Sequence, residues 1–361
     1  MQIVFSVKNE IRCPENAASM FPGAAMLPDG SIIVLFSSGS SFESSDSRLY
    51  QARSYDNGQN WMYTGRIYED VLINSAVPFT GYAKPVLLPD GTCAAVGYGF
   101  FRDRLEMGLS DYAEKFGRFP EVKNFVLRSS DNGQNWSAPQ WIEHSFPGME
   151  ISGPPLVDRG GKIHFFAAPF TLEAQSTGYS FASADGGMSW EQNGEFFHSD
   201  HIVPWETRSV ELPSGRIVLV IWAFDMKEQK HLSNHLIWSD DGGRNWSAPF
   251  DTKLRGQAAN FFTHEGKLYL LQARREGTAP GLYLNRISFT PSDTVVCGSD
   301  ICLWNARGMA NQSGRIEQQF AALKFGQPSV LPLSGGEYLL FFWSCVEQNY
   351  SVQAWKFRFE D

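Results

Sequence analysis

The sequence predicts an all-β chain, a six-bladed β-propeller built from four-stranded antiparallel blades. Three observations predict it. One octapeptide occurs four times, and a looser strand–turn–strand segment occurs six times. The composition also leans toward strands and bends: 361 residues carry 28 Phe, 12 Tyr, 11 Trp, 33 Gly and 19 Pro. Aromatic residues favour strands, and Gly and Pro favour the turns between them.

The octapeptides are SYDNGQNW (54–61), SSDNGQNW (129–136), SADGGMSW (183–190) and SDDGGRNW (239–246). Their pattern is Ser-x-Asp-[Asn/Gly]-Gly-x-x-Trp. Each conserved type has a turn role. The aspartate accepts hydrogen bonds from backbone N–H groups just downstream. The glycine supplies a positive φ. The tryptophan anchors the turn through a large apolar area. Asp56, Asp131, Asp185 and Asp241 therefore read as structural staples rather than catalysts.

The second repeat is an extended stretch, a polar turn and a strongly apolar strand, as in FPGAAMLPDGSIIVLF (21–36) and ETRSVELPSGRIVLVIW (206–222). Its turn glycines are Gly30, Gly91, Gly161, Gly215, Gly266 and Gly336. Each unit adds a third strand, the octapeptide turn and a fourth strand. The fifth unit keeps a decayed turn, ISFTPSDT (287–294), and the sixth ends in VQAWKFRF (352–359). A blade cannot bury its faces alone, so stacked blades form one domain, residues 1–361. The leftover strand QIVFSV (2–7) is predicted to be the outer strand of the last blade. Residues 62–80 and 101–124 are long for loops, and 102–116 predicts a short helix.

Charge and spacing narrow the function classes. The balance is 30 Lys+Arg against 39 Asp+Glu, a net charge of −9, which repels phosphate backbones and excludes nucleic acid as a general partner. No apolar run approaches the ~20 residues of a membrane helix, so no membrane partner is expected. The N-terminus lacks a basic region followed by an apolar one, which gives the expectation of a cytoplasmic protein. Five scattered cysteines do not make a disulfide framework. Cys297 and Cys302 are near enough in sequence to pair, without the sequence deciding it. No Cys/His spacing fits zinc; His198 and His201 come nearest. Neither a metal nor another cofactor is expected.

The repeats also locate the hub. Nine residues before the turn glycines stand Phe21, Tyr82, Ser152, Glu206, Gln257 and Gln327. Two residues further, on the same strand face, stand Gly23, Lys84, Pro154, Arg208, Ala259 and Ser329. The first strand of a blade lies nearest the axis, so these side chains should converge. Polar groups there need partners or a ligand. Glu206 is the leading catalytic candidate. Arg208, Lys84, Tyr82, Gln257 and Gln327 are candidates for holding a hydroxyl-rich ligand, and Trp205, Trp222 and Phe101 for stacking on it. Arg102, Arg104, Arg274 and Arg275 follow second strands and are candidate rim residues.

The octapeptide and the LPDG/LPSG turns resemble the Asp-box repeats of the sialidase-like superfamily, and the resemblance covers essentially the whole chain. It implies glycoside hydrolysis or glycan binding at the central mouth, opposite the boxes. WETRSVEL (205–212) resembles the strand that carries the sialidase catalytic glutamate and puts Glu206 at that position. The first arginine of the sialidase triad falls on Pro22, the second near Trp222, and the tyrosine nucleophile on Gln327. A sialidase proper is therefore not expected. The acid/base aspartate belongs upstream of the first octapeptide, where Glu43 and Asp46 stand.

A glycosidase needs a second carboxyl. Asp46 and Glu150 are the leading candidates, with Glu43, Asp103 and Glu106 as further ones. The sequence supports an exo-acting glycoside hydrolase on a small oligosaccharide, its carbohydrate ligand held at the mouth. A non-catalytic glycan-binding propeller is the second reading. The third is a lyase on uronic-acid sugars, in which Tyr82 or His201 abstracts a proton and Arg208 neutralises the carboxylate.

Overall fold

The computed structural model of the chain describes residues 2–72, 78–103, 107–310 and 316–360; Arg104 and Glu106 lie outside them. The chain runs through successive antiparallel units. The first comprises Ala18–Met26, Ile32–Gly39, Arg48–Ser54 and Met62–Arg66, and the second Thr80–Leu87, Cys93–Phe101, Glu121–Ser129 and Gln140–Trp141. The third is Leu156–Val157, Ile163–Ala167, Ser176–Ser183 and Glu191–Ser199, and the fourth is built on Ile202–Glu211, Ile217–Asp225, His235–Ser239 and Phe250–Asp251. Gln257–His264, Lys267–Arg274, Gly281–Phe289 and Val295–Cys297 follow. Phe325–Pro332, Glu337–Val346 and Asn349–Glu360 end the chain, with Gln2–Ile11 as their fourth strand.

That N-terminal strand pairs antiparallel with the C-terminal one, Gln2 opposite Glu360 and Ile11 opposite Val352, where the sequence put it. The first strands stand side by side. Ala18–Met26 packs beside Thr80–Leu87, Ile202–Glu211 beside Gln257–His264, and that strand beside Phe325–Pro332, which returns to Ala18–Met26. The chain thereby closes on itself around a common axis. Second strands such as Cys93–Phe101 and Ile217–Asp225 are buried at every position, which is why they read as continuous apolar runs rather than alternations.

The octapeptides form one repeated structure. In the first, Gly58 N–H donates to Ser54 Oγ (2.8 Å), Ser54 Oγ to Asp56 Oδ1 (2.8 Å), and Asn60 N–H to Asp56 Oδ1 (2.9 Å). The same three bonds recur around Asp131, Asp185 and Asp241. Tryptophans reach into the preceding unit: Trp61 meets Phe341 edge-on, and Trp136 Nε1 donates to Gln51 Oε1 at 3.0 Å. The boxes thus tie neighbouring sheets together.

Four first strands carry a β-bulge near the axis. The bulges lie between Met20 and Gly23, Trp205 and Arg208, Gln257 and Ala259, and Gly326 and Ser329. Each holds one non-glycine residue in the left-handed region: Phe21 (φ 55°), Glu206 (45°), Ala258 (44°) and Gln327 (46°). Such residues are strained and cluster at functional sites, and a bulge re-aims side chains. In the fifth unit the bulge falls on Ala258 rather than the expected Gln257. There Glu265 and Gly266 form a two-residue turn, His264 pairing with Lys267, shorter than the Leu-Pro-x-Gly turns. Counting back from Gly266 therefore overshoots by one.

Two helices come from insertions. Helix α1 (Leu109–Phe116) lies within the segment expected to be helical. Helix α2 (Ile316–Ala321) packs against it and lies in a stretch the sequence reading left unassigned. Cys297 and Cys302 are free thiols.

Candidate active site at the hub

The bulges aim Glu206 and Gln327 into the centre, where a cavity opens between α1, α2 and the inner strands. Glu43, Glu150 and Glu206 all line it, with Gln327 and Trp205. The rest of the wall is largely apolar, including Phe21, Phe42, Phe170, Trp222 and Phe320. Trp205 stacks on Phe224 (ring centroids 4.8 Å apart) and meets Phe320 of α2 at 5.3 Å. The cavity volume is ≈ 60 Å³.

A polar layer closes the floor. Gln327 Nε2 donates to Glu206 Oε1 (3.0 Å), while Lys84 Nζ donates to Gln327 Oε1 (3.0 Å) and to the Pro22 carbonyl (3.0 Å). Arg208 donates to Ser152 Oγ (2.8 Å) and lies 3.4 Å from Glu206 Oε2. The chain Lys84–Gln327–Glu206–Arg208–Ser152 spans the axis and links four units. Gly153 is needed beside it, since a Cβ there would come within 2.7 Å of Arg208 Cδ. Beneath lies a second cavity of ≈ 140 Å³, walled in part by Gly23, Lys84, Pro154, Arg208, Asn260 and Ser329. This is the expected second ring, with Asn260 in place of Ala259 for the reason already given.

Burial sets the electrostatics. It pushes the Glu150 carboxyl up to about 8, with the nearby Glu206 charge adding to the rise and Arg208 opposing it. Burial likewise raises Glu43 to about 7, against the pull of Arg102. These carboxyls favour their protonated form because a buried charge is costly. Burial, reinforced by Arg208, drives the Lys84 amine well below the usual lysine value. Arg102 Nη1 donates to the Glu43 carbonyl (2.7 Å), holding that residue at its left-handed φ of 50°.

The other expected residues fall elsewhere. Asp46 is turned into its own loop, accepting from Ser40 N–H (3.1 Å) and Ser40 Oγ (3.0 Å), so Glu43 is the loop's carboxyl at the cavity. Tyr82 is buried in the core against Phe21 and Tyr98 (centroids 5.4 and 5.5 Å) and is not part of the wall. Gln257 accepts from Arg275 N–H (3.2 Å) on the far side of its bulge. Arg208 and Lys84 sit below the cavity floor. Arg275 is buried over the Trp222 ring (5.4 Å) and donates to the Phe325 carbonyl (2.7 Å). Arg274 pairs with Asp300. His198 bonds Thr177 (2.9 Å), and no metal-binding cluster occurs among the described residues. Sequence reasoning missed Phe42, Phe119, Phe170 and Phe320. They come from inserted segments that carry no repeat to align.

Solved structures resemble this fold throughout. A protein of unknown function from Dyadobacter fermentans aligns with a TM-score of 0.76 at 18% identity, over 99% of each chain. A Hadza microbial sialidase aligns at TM-score 0.64 and 16% identity, over 93% of this chain and 65% of its own. Trypanosoma rangeli sialidase in complex with sialic acid gives 0.62 and 13%, over 98% of this chain and 58% of its own. The fold is that of the sialidase β-propellers. This chain spans about six-tenths of the length of those two sialidases. No family model matches the sequence, and no curated protein does.

Proposed function

We propose that the chain is one six-bladed propeller and an exo-acting glycoside hydrolase on a small oligosaccharide. The observation that carries the reading is the convergence of Glu43, Glu150 and Glu206 on one aromatic-walled cavity at the mouth. A carboxyl kept protonated by burial beside other carboxyls is placed to act as an acid. Glu150, raised to about 8, gives its proton to the glycosidic oxygen. Glu206, held by Gln327 and Arg208, supplies the opposing carboxylate, attacking the anomeric carbon or activating a water. Retention of anomeric configuration marks the first course and inversion the second. Glu43 is the third carboxyl, and Arg102 fixes its position.

The cavity is too narrow for a sugar ring as it stands, so the side chains of Leu109 on α1, Phe320 on α2 and Leu323 just beyond α2 move aside on binding. An enclosed cavity suits a chain end rather than the middle of a polymer. The carboxyl-lined wall and the Pro22 and Gln327 departures disfavour a sialic acid. The test is a screen of aryl glycosides and uronic oligosaccharides with wild type and Glu206→Gln. Turnover by wild type alone is expected, without the ultraviolet-absorbing product of a lyase; equal turnover by both proteins removes Glu206 from the mechanism. The non-catalytic binding reading draws on the same floor network, which engages both Glu206 oxygens, and it predicts binding without turnover.

A further inference from the structure

A second cleft adjoins the hub between the second and third units. Its volume is ≈ 790 Å³, in the size range of small-molecule sites, against ≈ 60 Å³ for the inner cavity. Phe119, Phe170, Thr171 and Leu172 wall both, so the two spaces share one boundary. The cleft also carries Phe146 and Tyr179, stacked at 4.1 Å with an interplanar angle of 28°. Both rings are half-buried, as are Phe119 and Phe170, which meet at 4.3 Å. Thr171 and Thr177 add hydroxyls. Flat apolar faces beside a few polar groups match the two faces of a pyranose ring.

We propose that this cleft is a second sugar subsite, which takes the leaving-group end of a neutral oligosaccharide whose reacting end enters the inner cavity. The inference rests on the carbohydrate reading of the hub. Two structural facts give the cleft its place in the reaction. Met149 bridges to Pro169, and Glu150 N–H donates to the Ala168 carbonyl (3.0 Å). The acid is thereby tied to the strand end that leads into Phe170 and the cleft. A leaving group seated there departs past Glu150, which supplies its proton. Charge argues for a neutral ligand: Arg118 and Lys123 on the cleft wall are matched by Glu121 and Glu173, and among the described residues the inner cavity is lined by three carboxyls and no lysine or arginine that would hold an acidic sugar.

The test is a saturation-transfer NMR titration of the full chain with glucose and xylose against cellobiose, maltotriose and xylotriose. At least one oligosaccharide should bind ten-fold or more tighter than its monosaccharide. Tyr179→Ala and Phe146→Leu should erase that gain, and Tyr179→Phe, which keeps the ring, should retain it. Thermal melts of each variant separate lost binding from lost fold. Equal affinity at every length, no binding of any oligosaccharide, or a full length gain in well-folded Tyr179→Ala and Phe146→Leu would overturn the proposal. Glu206→Gln should keep the length gain. A gain that depends on Tyr179, in a protein that hydrolyses nothing, would sink the hydrolase reading and leave the subsite standing. Hydrolysis lost in Glu206→Gln but indifferent to Tyr179→Ala would do the reverse.

Discussion

The octapeptide turns and the hub use the same functional group in opposite ways. Asp56, Asp131 and Asp241 are each held down to about 2, chiefly by backbone N–H groups of the turn that donate to the carboxylate. Glu43 and Glu150 are driven up to about 7 and about 8 by burial among aromatic rings. Repetition explains the contrast. A residue repeated from unit to unit stabilises each unit that carries it, whereas the hub carboxyls occur once each, on different units, and meet only because the inner strands converge. In this chain the repeated carboxyls build and the unrepeated ones stand where chemistry is possible.

The sharpest way to break that contrast is substitution on both sides. Glu150→Gln should lower turnover of glycosides with poor leaving groups by ~10²–10⁴-fold, the usual worth of a positioned acid. Glycosides of dinitrophenol, which depart unaided, should be nearly spared. Asp131→Asn, measured beside it, should leave both rates unchanged. Comparable losses in the two variants would erase the distinction between turn and hub.

Stability should divide the other way. Trp136 is half-buried and bonded to Gln51 of the preceding unit, so Trp136→Ala should cost about 2–3 kcal/mol, below the ~3–5 kcal/mol of a fully buried aromatic. Urea unfolding reads this directly, with kcat unaffected.

Stability should also depend on pH, with opposite signs in the two regions. The depressed turn aspartates stabilise the fold above the ordinary carboxylate range, and that contribution is lost as pH falls toward about 2. The raised hub glutamates act oppositely. The folded chain holds their protons longer than the unfolded one, so stability falls as pH climbs from about 4.5 toward 8, by at most ~1.4 kcal/mol per unit per group. Melting curves should show Asp131→Asn weakening the acid limb, and Glu150→Gln flattening the alkaline limb and raising Tm at pH 8.

Much of this was legible in the sequence, because repeats expose register. Six turn glycines and four boxes were enough to place Glu206, Gln327 and the Arg208–Lys84 layer at the axis, and the N-terminal strand beside 352–359. Legibility failed where the repeat was interrupted. A turn one residue shorter moved the fifth unit's hub position from Gln257 to Ala258. Asp46 and Glu43 were indistinguishable by spacing, since a left-handed residue gripped by Arg102 leaves no periodic trace. Tyr82 sits at the aligned position on a strand without a bulge, so nothing turns its ring into the cavity and it joins the core. Phe42, Phe119, Phe170, Phe320 and α2 belong to inserted segments, where no second copy exists to compare.

The central claim is that burial at the hub keeps a carboxyl protonated at neutral pH, ready to act as an acid. It is tested most directly by ¹³C NMR titration of the glutamate side-chain carboxyls in wild type and Glu150→Gln. The account predicts one resonance titrating near 8 that vanishes in the variant. A spectrum in which every glutamate titrates below about 5, unchanged by the substitution, would contradict it.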